Sequence, residues 1–487
     1  MTFHHTYAII QDEMPVLYKN TEQIKTYMDT DSVFLDYARF EGDAKTREAQ
    51  KKAFMSGQEY TPTYDYGQLD FLIDDQALID KKTNIYEAVL ELEVAKEAPG
   101  ANASEIELYR AFHELRLKKI MLVEAARDLK KAQNSTEMET ARQTFMELNE
   151  EVYGEFDTPT YKGMLATEIA NIADFQPTND SARRIKDELT SVFSGTDVEG
   201  YEEEELLDQE LLSEFNAIVM KRYEDVFSAI PETDDSTYYD VDECVKITNH
   251  ALEIAGLAKE DWKCEHNPKK TAPATNVALK KIYLPSNTRR SASELQRLIA
   301  HELEDHARRG QNGINAGSKL LRNGTADYAD VEEGLGVMLE CAVAGTLDNP
   351  SFERARDRYI TAGLALGGGE MDNALDARQV YEVMWRLIAL RIATDGGIDD
   401  EVLAKAKDKA YTYVENAFRG TEFWMKGVIY TKLKVYYEGF RKNAQFFKEH
   451  AGDLNEALDI AMIGKYNHTD PKERILVNNS LKFEASL

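Results

Sequence analysis

A predominantly helical α+β fold is what this sequence predicts, and three observations carry it. Apolar residues recur at helical spacing through long charged stretches, most clearly over residues 80–150. One short segment, 276–286, alternates instead, with Val277, Leu279, Ile282 and Leu284 at the apolar positions, as a strand does. Immediately after it, Ser291-Ala292-Ser293-Glu294 has the form of a capping box that opens another amphipathic helix. With 487 residues, 43% of them apolar, the chain can bury a sizeable core.

Taken in order, Ser104 can cap a helix over 107–133, where Leu108, Ala111, Phe112, Leu115 and Leu122 share a face. Asn134-Ser135-Thr136 breaks it, and 140–154 resumes as a second helix, which predicts an antiparallel helical hairpin. Glycines and acidic residues at 194–210 mark a boundary. The chain is therefore expected to divide into a mostly helical N-terminal region, 1–205, and a catalytic domain, 206–487. Residues 241–256 read as an amphipathic helix ahead of the strand.

Charge and cysteine usage narrow the function. Acidic residues outnumber basic ones 88 to 58, a net charge of −30 that repels phosphate backbones and anionic lipid. Nucleic acid and membrane are therefore not expected partners, and no apolar run reaches the ~18 residues of a spanning helix. The segment MTFHHTYAIIQDEM has no basic stretch followed by an apolar one, so no secretory signal is expected there. Cys244, Cys264 and Cys341 lack the spacing of a disulfide framework or a thiolate metal site, and a reducing cytoplasm follows. No pattern fixes an oligomeric state.

The chemistry concentrates in HELEDH, from His301 to His306. The capped helix places Leu295, Leu298, Ile299, Glu302, Leu303 and His306 on one face, and polar groups among leucines need partners or a cation. Two imidazoles flanking a carboxylate form part of the ligand set of a hydrolytic zinc site. Their spacing of five separates them by ~140° on an α-helix, so one ion can bind both only across a π-bulge or a loosened helix end. Without one, His301 would share a face with Asp305, or Glu302 with His306. Gly310 and Gly313 are the expected stop signals.

A second element follows, capped by Asp330, with Val331, Leu335, Met338, Leu339 and Ala342 as its buried stripe. Gly334 and Gly336 cost such a helix ~1 kcal/mol each. Close approach of another backbone, here the histidine helix, would justify them. Glu333 beside them is then the third ligand, with Glu332 the competing choice. A di-iron bundle needs Glu-x-x-His pairs, and none of the nine histidines has a glutamate three residues before it.

HELEDHARRGQNG followed by VEEGLG resembles the tyrosine carboxypeptidase-type zinc peptidases, which include the tubulin tyrosine carboxypeptidases and a branch named for a QEGLA motif. His301, Glu302 and His306 match that family's HExxxH, Arg309 to Gly313 approximates its R-x-x-N-G, and Glu333-Gly334-Leu335 its EGL. Gly336 stands in place of alanine and Glu332 in place of glutamine. Segments 262–285, 417–420 and 425–440 look like further parts of the pattern, with Gly427 where an aspartate is expected, and 150–165 does so more loosely.

The resemblance implies a gluzincin-like zinc peptidase core with the HExxxH helix and short strands behind a helical N-terminal region. It implies zinc held by His301, His306 and Glu333, with Glu302 as catalytic acid/base. Tyr430 is the candidate oxyanion donor, and Arg419 and Lys426 are the candidate cations for a substrate carboxylate. The expected function is a zinc-dependent carboxypeptidase that releases a C-terminal, possibly aromatic, residue from a peptide or protein. The alternative is a catalytically silent helical scaffold that keeps the metal site as a structural element, and a fourth protein ligand such as Asp305 would favour it.

Overall fold

The computed structural model describes residues 39–40, 44–58, 64–65 and 75–484, except 233, 271 and 370. The opening segment read above for a secretory signal lies outside these residues. The described chain is mostly helical with two small sheets: β1 (Arg39–Phe40) pairs antiparallel with β2 (Tyr64–Asp65), and a three-stranded sheet lies beside the histidine helix. No described helix is long and apolar enough to cross a membrane.

Toward the N-terminus come α1 (Ala44–Met55), α2 (Asp75–Lys96), α3 (Ala103–Lys131) and α4 (Ser135–Tyr153). The expected hairpin is α3–α4, and the break falls at Asn134, whose side chain caps α4 through the amides of Thr136 and Glu137. The cap of α3 is Asn102 rather than Ser104, which lies inside the first turn. Two more helices, α5 (Thr158–Asp174) and α6 (Asp180–Val192), precede the acidic linker, and α7 (Gln209–Arg222) follows it. The main core draws on both sides of position 205: Met164, Ile185 and Leu189 belong to it together with Leu335, Ile388 and Phe440.

Helix α8 (Val241–Ile254) opens on a capping box formed by Asp240 and Glu243. The single strand expected over 276–286 is two strands. β4 (Ala274–Asn276) and β5 (Lys281–Leu284) are antiparallel, and β3 (Lys263–His266) runs parallel on the other side of β5, giving the order β3-β5-β4. The alternation fails because the chain turns between them, with Lys280 at φ 51° and Leu279 exposed at 59%. A non-glycine left-handed turn has no strong sequence signature.

The histidine helix, α9, covers residues 292–315 in three parts: α-helical over Ala292–Leu298, π-helical over Ile299–Ala307 and α-helical again over Arg308–Asn315. Its capping box is as expected, with Glu294 accepting from the Ser291 amide at 2.9 Å. Gly310 and Gly313 do not stop it. A side chain on Gly310 would meet Val277 at 2.6 Å, and one on Gly313 the Leu321 backbone at 2.2 Å, so both allow close packing inside a continuing helix. A short α10 (Lys319–Asn323) leads to α11 (Ala329–Ala344). Asp330 lies inside the first turn of α11 rather than capping it, and the Val331, Leu335, Met338, Leu339 and Ala342 stripe is fully buried.

Around α11 pack α12 (Pro350–Leu366) and α15 (Val435–Glu449), with α13 (Ala377–Arg391) and α14 (Asp400–Ala417) between them in sequence. The chain closes with α16 (Leu454–Ala461) and α17 (Pro471–Glu484). The two α11 glycines are explained separately. Gly334 lies against the α15 backbone, where an added Cβ would be 2.0 Å from the Gly439 carbonyl carbon. Gly336 instead faces the His301 ring, 2.7 Å from Cε1. Only the second meets the histidine helix, and it meets a side chain, not a backbone.

Candidate metal centre

The π turn decides the geometry. In a π-helix the backbone bond closes on the fifth residue instead of the fourth, so residue 306 returns above residue 301. The two rings come to 4.8 Å between centroids at 76°. Glu333 reaches the same place from α11: one candidate ligand atom from each of His301, His306 and Glu333 lies within 4.8 Å of the other two. All three side chains are partly buried. Asp305 does not join them; its carboxylate accepts from Arg309 Nη1 at 3.3 Å.

Each imidazole has its Nδ1 committed. His301 Nδ1 lies 2.7 Å from Oε1 of Glu340, on α11. His306 Nδ1 lies 2.6 Å from Glu332 Oε1. A carboxylate on Nδ1 fixes both ring orientation and tautomer and leaves Nε2 as the ligand nitrogen. Glu332 and Glu333 are thus split between two tasks, because adjacent helical residues point ~100° apart. The donor set, two imidazole nitrogens and one carboxylate, fits a divalent transition metal, and no fourth His, Cys, Asp or Glu joins the group among the described residues.

Electrostatics agree with that division. Against the cost of burial, Lys465 and His306 hold the Glu332 carboxyl well below the usual carboxylate range. Burial likewise opposes the Glu340 charge, and His301 outweighs it, so Glu340 is also lowered. Without a metal the reverse holds for the rings. Burial disfavours the His301 charge, but the Glu340 hydrogen bond and the charges of Glu340, Glu302 and Glu333 raise it to about 10.

Glu302 is buried at 8% exposure and does not point into the leucines alone. Thr275 Oγ1, on the edge strand β4, donates to Glu302 Oε2 at 2.7 Å and lies 3.0 Å from its backbone carbonyl. The strand therefore braces the widened turn and orients its carboxylate at once.

The downstream candidates fall in another setting. Tyr430 is 3% exposed, its ring edge-on to Phe145 at 5.1 Å, in a cluster with Leu148, Met425 and Val428 against the α3–α4 hairpin. Arg419 lies beside Glu415, whose carboxyl burial raises and Arg419 partly restores. Lys426 is exposed, and Gly427 next to it has φ 70°, the left-handed conformation that explains glycine there. The tyrosine that faces the metal centre is Tyr436, three residues before the Gly439 crossing on α15. The Glu333 charge first, and burial second, push its phenol up to about 12. Over its ring, 3.9 Å from the centroid, sits the guanidinium of Arg358 from α12. Sequence reasoning missed Arg358 and Glu340; Glu340 lies two turns after Glu333, the one signal that was available.

Residues 200–371 match the family model described as microtubule-associated tyrosine carboxypeptidase. Over that stretch the chain is tyrosine carboxypeptidase-like. The match takes in α9, the sheet, α11 and α12, hence every residue that converges on the centre except Tyr436 and Lys465. No curated protein matches the sequence.

Proposed function

We propose that this chain is a zinc-dependent metallopeptidase of the carboxypeptidase type, acting on the C-terminus of a peptide or protein. One observation carries the proposal: a π turn brings His301 and His306 to the same point as Glu333, with both Nδ1 atoms already held by carboxylates. The family match supports it and favours a C-terminal aromatic residue as substrate. In this reading the centre is gluzincin-like, residues 206–487 carry the catalytic machinery, and 1–205 supports it. Three buried, free cysteines accord with a cytoplasmic setting.

His301, His306 and Glu333 would hold the ion. When bound, zinc supplies Lewis acidity toward the scissile carbonyl and toward water. Glu302 is the acid/base: its carboxylate, fixed at Oε2 by Thr275, takes the proton of the attacking water and returns it to the leaving amine nitrogen. Tyr436, which faces Glu333 from α15, takes the place of Tyr430 as oxyanion donor. Arg358 replaces Arg419 and Lys426 as the cation for the substrate carboxylate. Among the described residues it pairs with no carboxylate, and stacking on Tyr436 holds its plane. A silent scaffold would be favoured by a fourth protein ligand, and Arg309 already occupies Asp305.

The test is to measure bound metal and turnover on peptides varied only at the last residue. Glu302→Gln is expected to retain one zinc per chain and lose roughly 10²–10⁴-fold in kcat. Undiminished hydrolysis by that variant sinks the mechanism.

A further inference from the structure

Behind His306 lies a buried group of charges that the catalytic reading does not use. Glu332 Oε1 faces His306 Nδ1 and also accepts from Lys465 Nζ at 2.5 Å, while Glu332 Oε2 has no hydrogen-bond partner among the described residues. Both contacts that hold this carboxylate therefore fall on one oxygen. The Lys465 and Glu332 side chains are 9% and 4% exposed, and Asp305 and Arg309 beside them are fully enclosed. Two carboxylates and two cations balance, so His306 needs no charge of its own to neutralise the group.

Lys465 comes from a strap, residues 462–466 between α16 and α17, that crosses the metal helix. Arg309 Nε donates to the Gly464 carbonyl at 3.0 Å and Nη2 to that of Tyr466 at 3.1 Å. Asn312 Nδ2 donates to the Met462 carbonyl at 2.6 Å. The Lys465 backbone is pinned on both sides: its amide donates to Leu321 at 2.7 Å, and its carbonyl accepts from Thr325 at 3.1 Å. These bonds fix the main chain at the root of Lys465, and burial and the Glu332 contact hold its Nζ. The strap lies beyond the stretch matched to the family, 200–371, while its partners Arg309, Asn312, Leu321 and Thr325 lie within it.

We propose that Lys465 is a positioning residue for the metal centre: by seating Glu332 against His306 Nδ1 it aims His306 Nε2 at the ion. This makes metal binding depend on a segment 133 residues from Glu332 in the chain. The inference rests on the reading that His301, His306 and Glu333 hold a metal. Without Lys465 the Glu332 carboxylate keeps a single bond, to the ring it is meant to orient, and turns toward whichever donor remains, Arg309 included.

The experiment is a double-mutant cycle on the full chain, Lys465→Met and Glu332→Gln, read by zinc affinity in competition with a chromogenic chelator and by the thermal midpoint in excess chelator. Lys465→Met is expected to weaken zinc binding about 10–100-fold, the usual cost of a lost outer-sphere partner. Lys465→Arg should recover most of that loss. In the Glu332→Gln background, Lys465→Met should cause no further loss of affinity, because its action runs through Glu332. A merely structural role predicts lower midpoints with unchanged affinity, or losses that add, and either result overturns the proposal. Where the methionine variant does not fold, Lys465→Gln takes its place in the same cycle. A wild-type chain that binds no zinc overturns the metal reading and this inference together; wild-type and Lys465→Met chains of equal affinity overturn this inference alone.

Discussion

The two imidazoles of the centre are braced in different ways. Behind His301, Glu340 is held by the Ser351 hydroxyl and lies 3.9 Å from Arg354, a side chain 49% exposed, so this brace borders water. Behind His306, Glu332 belongs to an enclosed group with Lys465, Asp305 and Arg309. A ligand backed by a water-bordered carboxylate can relax when that carboxylate is lost. One backed by an enclosed charge network cannot, because each remaining member becomes an uncompensated charge.

The largest expected effect breaks the buried side. Glu332→Ala strands Lys465 and is expected to cost about 3–5 kcal/mol in stability, the range for breaking a buried pair. Glu340→Ala should cost only about 1–3 kcal/mol, since Arg354 can turn to solvent, while zinc affinity falls ~10–100-fold in each case. Chemical denaturation of the metal-free proteins, paired with chelator competition, checks both. Equal destabilisation by the two variants would remove the contrast.

Two glycines sharpen the comparison on α11 itself. Gly334→Ala would press a methyl on the Gly439 backbone, which cannot turn aside, and is expected to destabilise by about 1–3 kcal/mol. Gly336→Ala meets only the His301 ring, which can rotate away at the expense of its Glu340 bond. Its stability should change by less than ~1 kcal/mol, helped by the helix propensity of alanine, while zinc affinity drops about tenfold. Thermal midpoints and affinities should therefore separate in opposite order for the two variants. An affinity loss confined to Gly334→Ala contradicts the placement of His301.

These effects also mark what the sequence could disclose. The five-residue spacing of His301 and His306 left a π turn as one of two ways for them to meet, and the turn is there. Glu333 was the expected third ligand with Glu332 competing; that Glu332 instead faces His306 Nδ1 and Lys465 was not readable, because Lys465 lies 133 residues from Glu332. Tyr430 and Tyr436 both lie in a segment resembling the family, but Tyr430 precedes α15 and packs on Phe145, and only Tyr436, on the helix, meets Glu333. The predominantly helical α+β class was visible from periodicity, whereas the hairpin of β4 and β5 was hidden by a turn at Lys280 that uses no glycine. Local patterns reported local geometry; the carboxylates behind the two imidazoles are contacts between distant segments.

A last effect, visible only through pH, concerns the strap from its other end. Glu473, 7% exposed, opens α17 and accepts from Thr325 Oγ1 at 2.5 Å and the Asn467 amide at 3.1 Å, one residue pair beyond the Lys465 strap. Burial raises its carboxyl to about 7, against the two hydrogen bonds that favour the charge. A carboxyl raised on folding holds a proton that the unfolded chain has already released. Stability is therefore lost as pH rises from the unfolded value near 4.5 to about 7, and the loss is complete above that. Glu473→Gln keeps an acceptor for Thr325 and Asn467 without the charge, so it should match wild type near pH 4 and exceed it by on the order of 2–3 kcal/mol at pH 8. Unfolding curves across that range check the sign. A glutamine variant that loses ground as pH rises would mean that Glu473 works as a charge, and that the strap is anchored by an ion pair instead of by neutral hydrogen bonds.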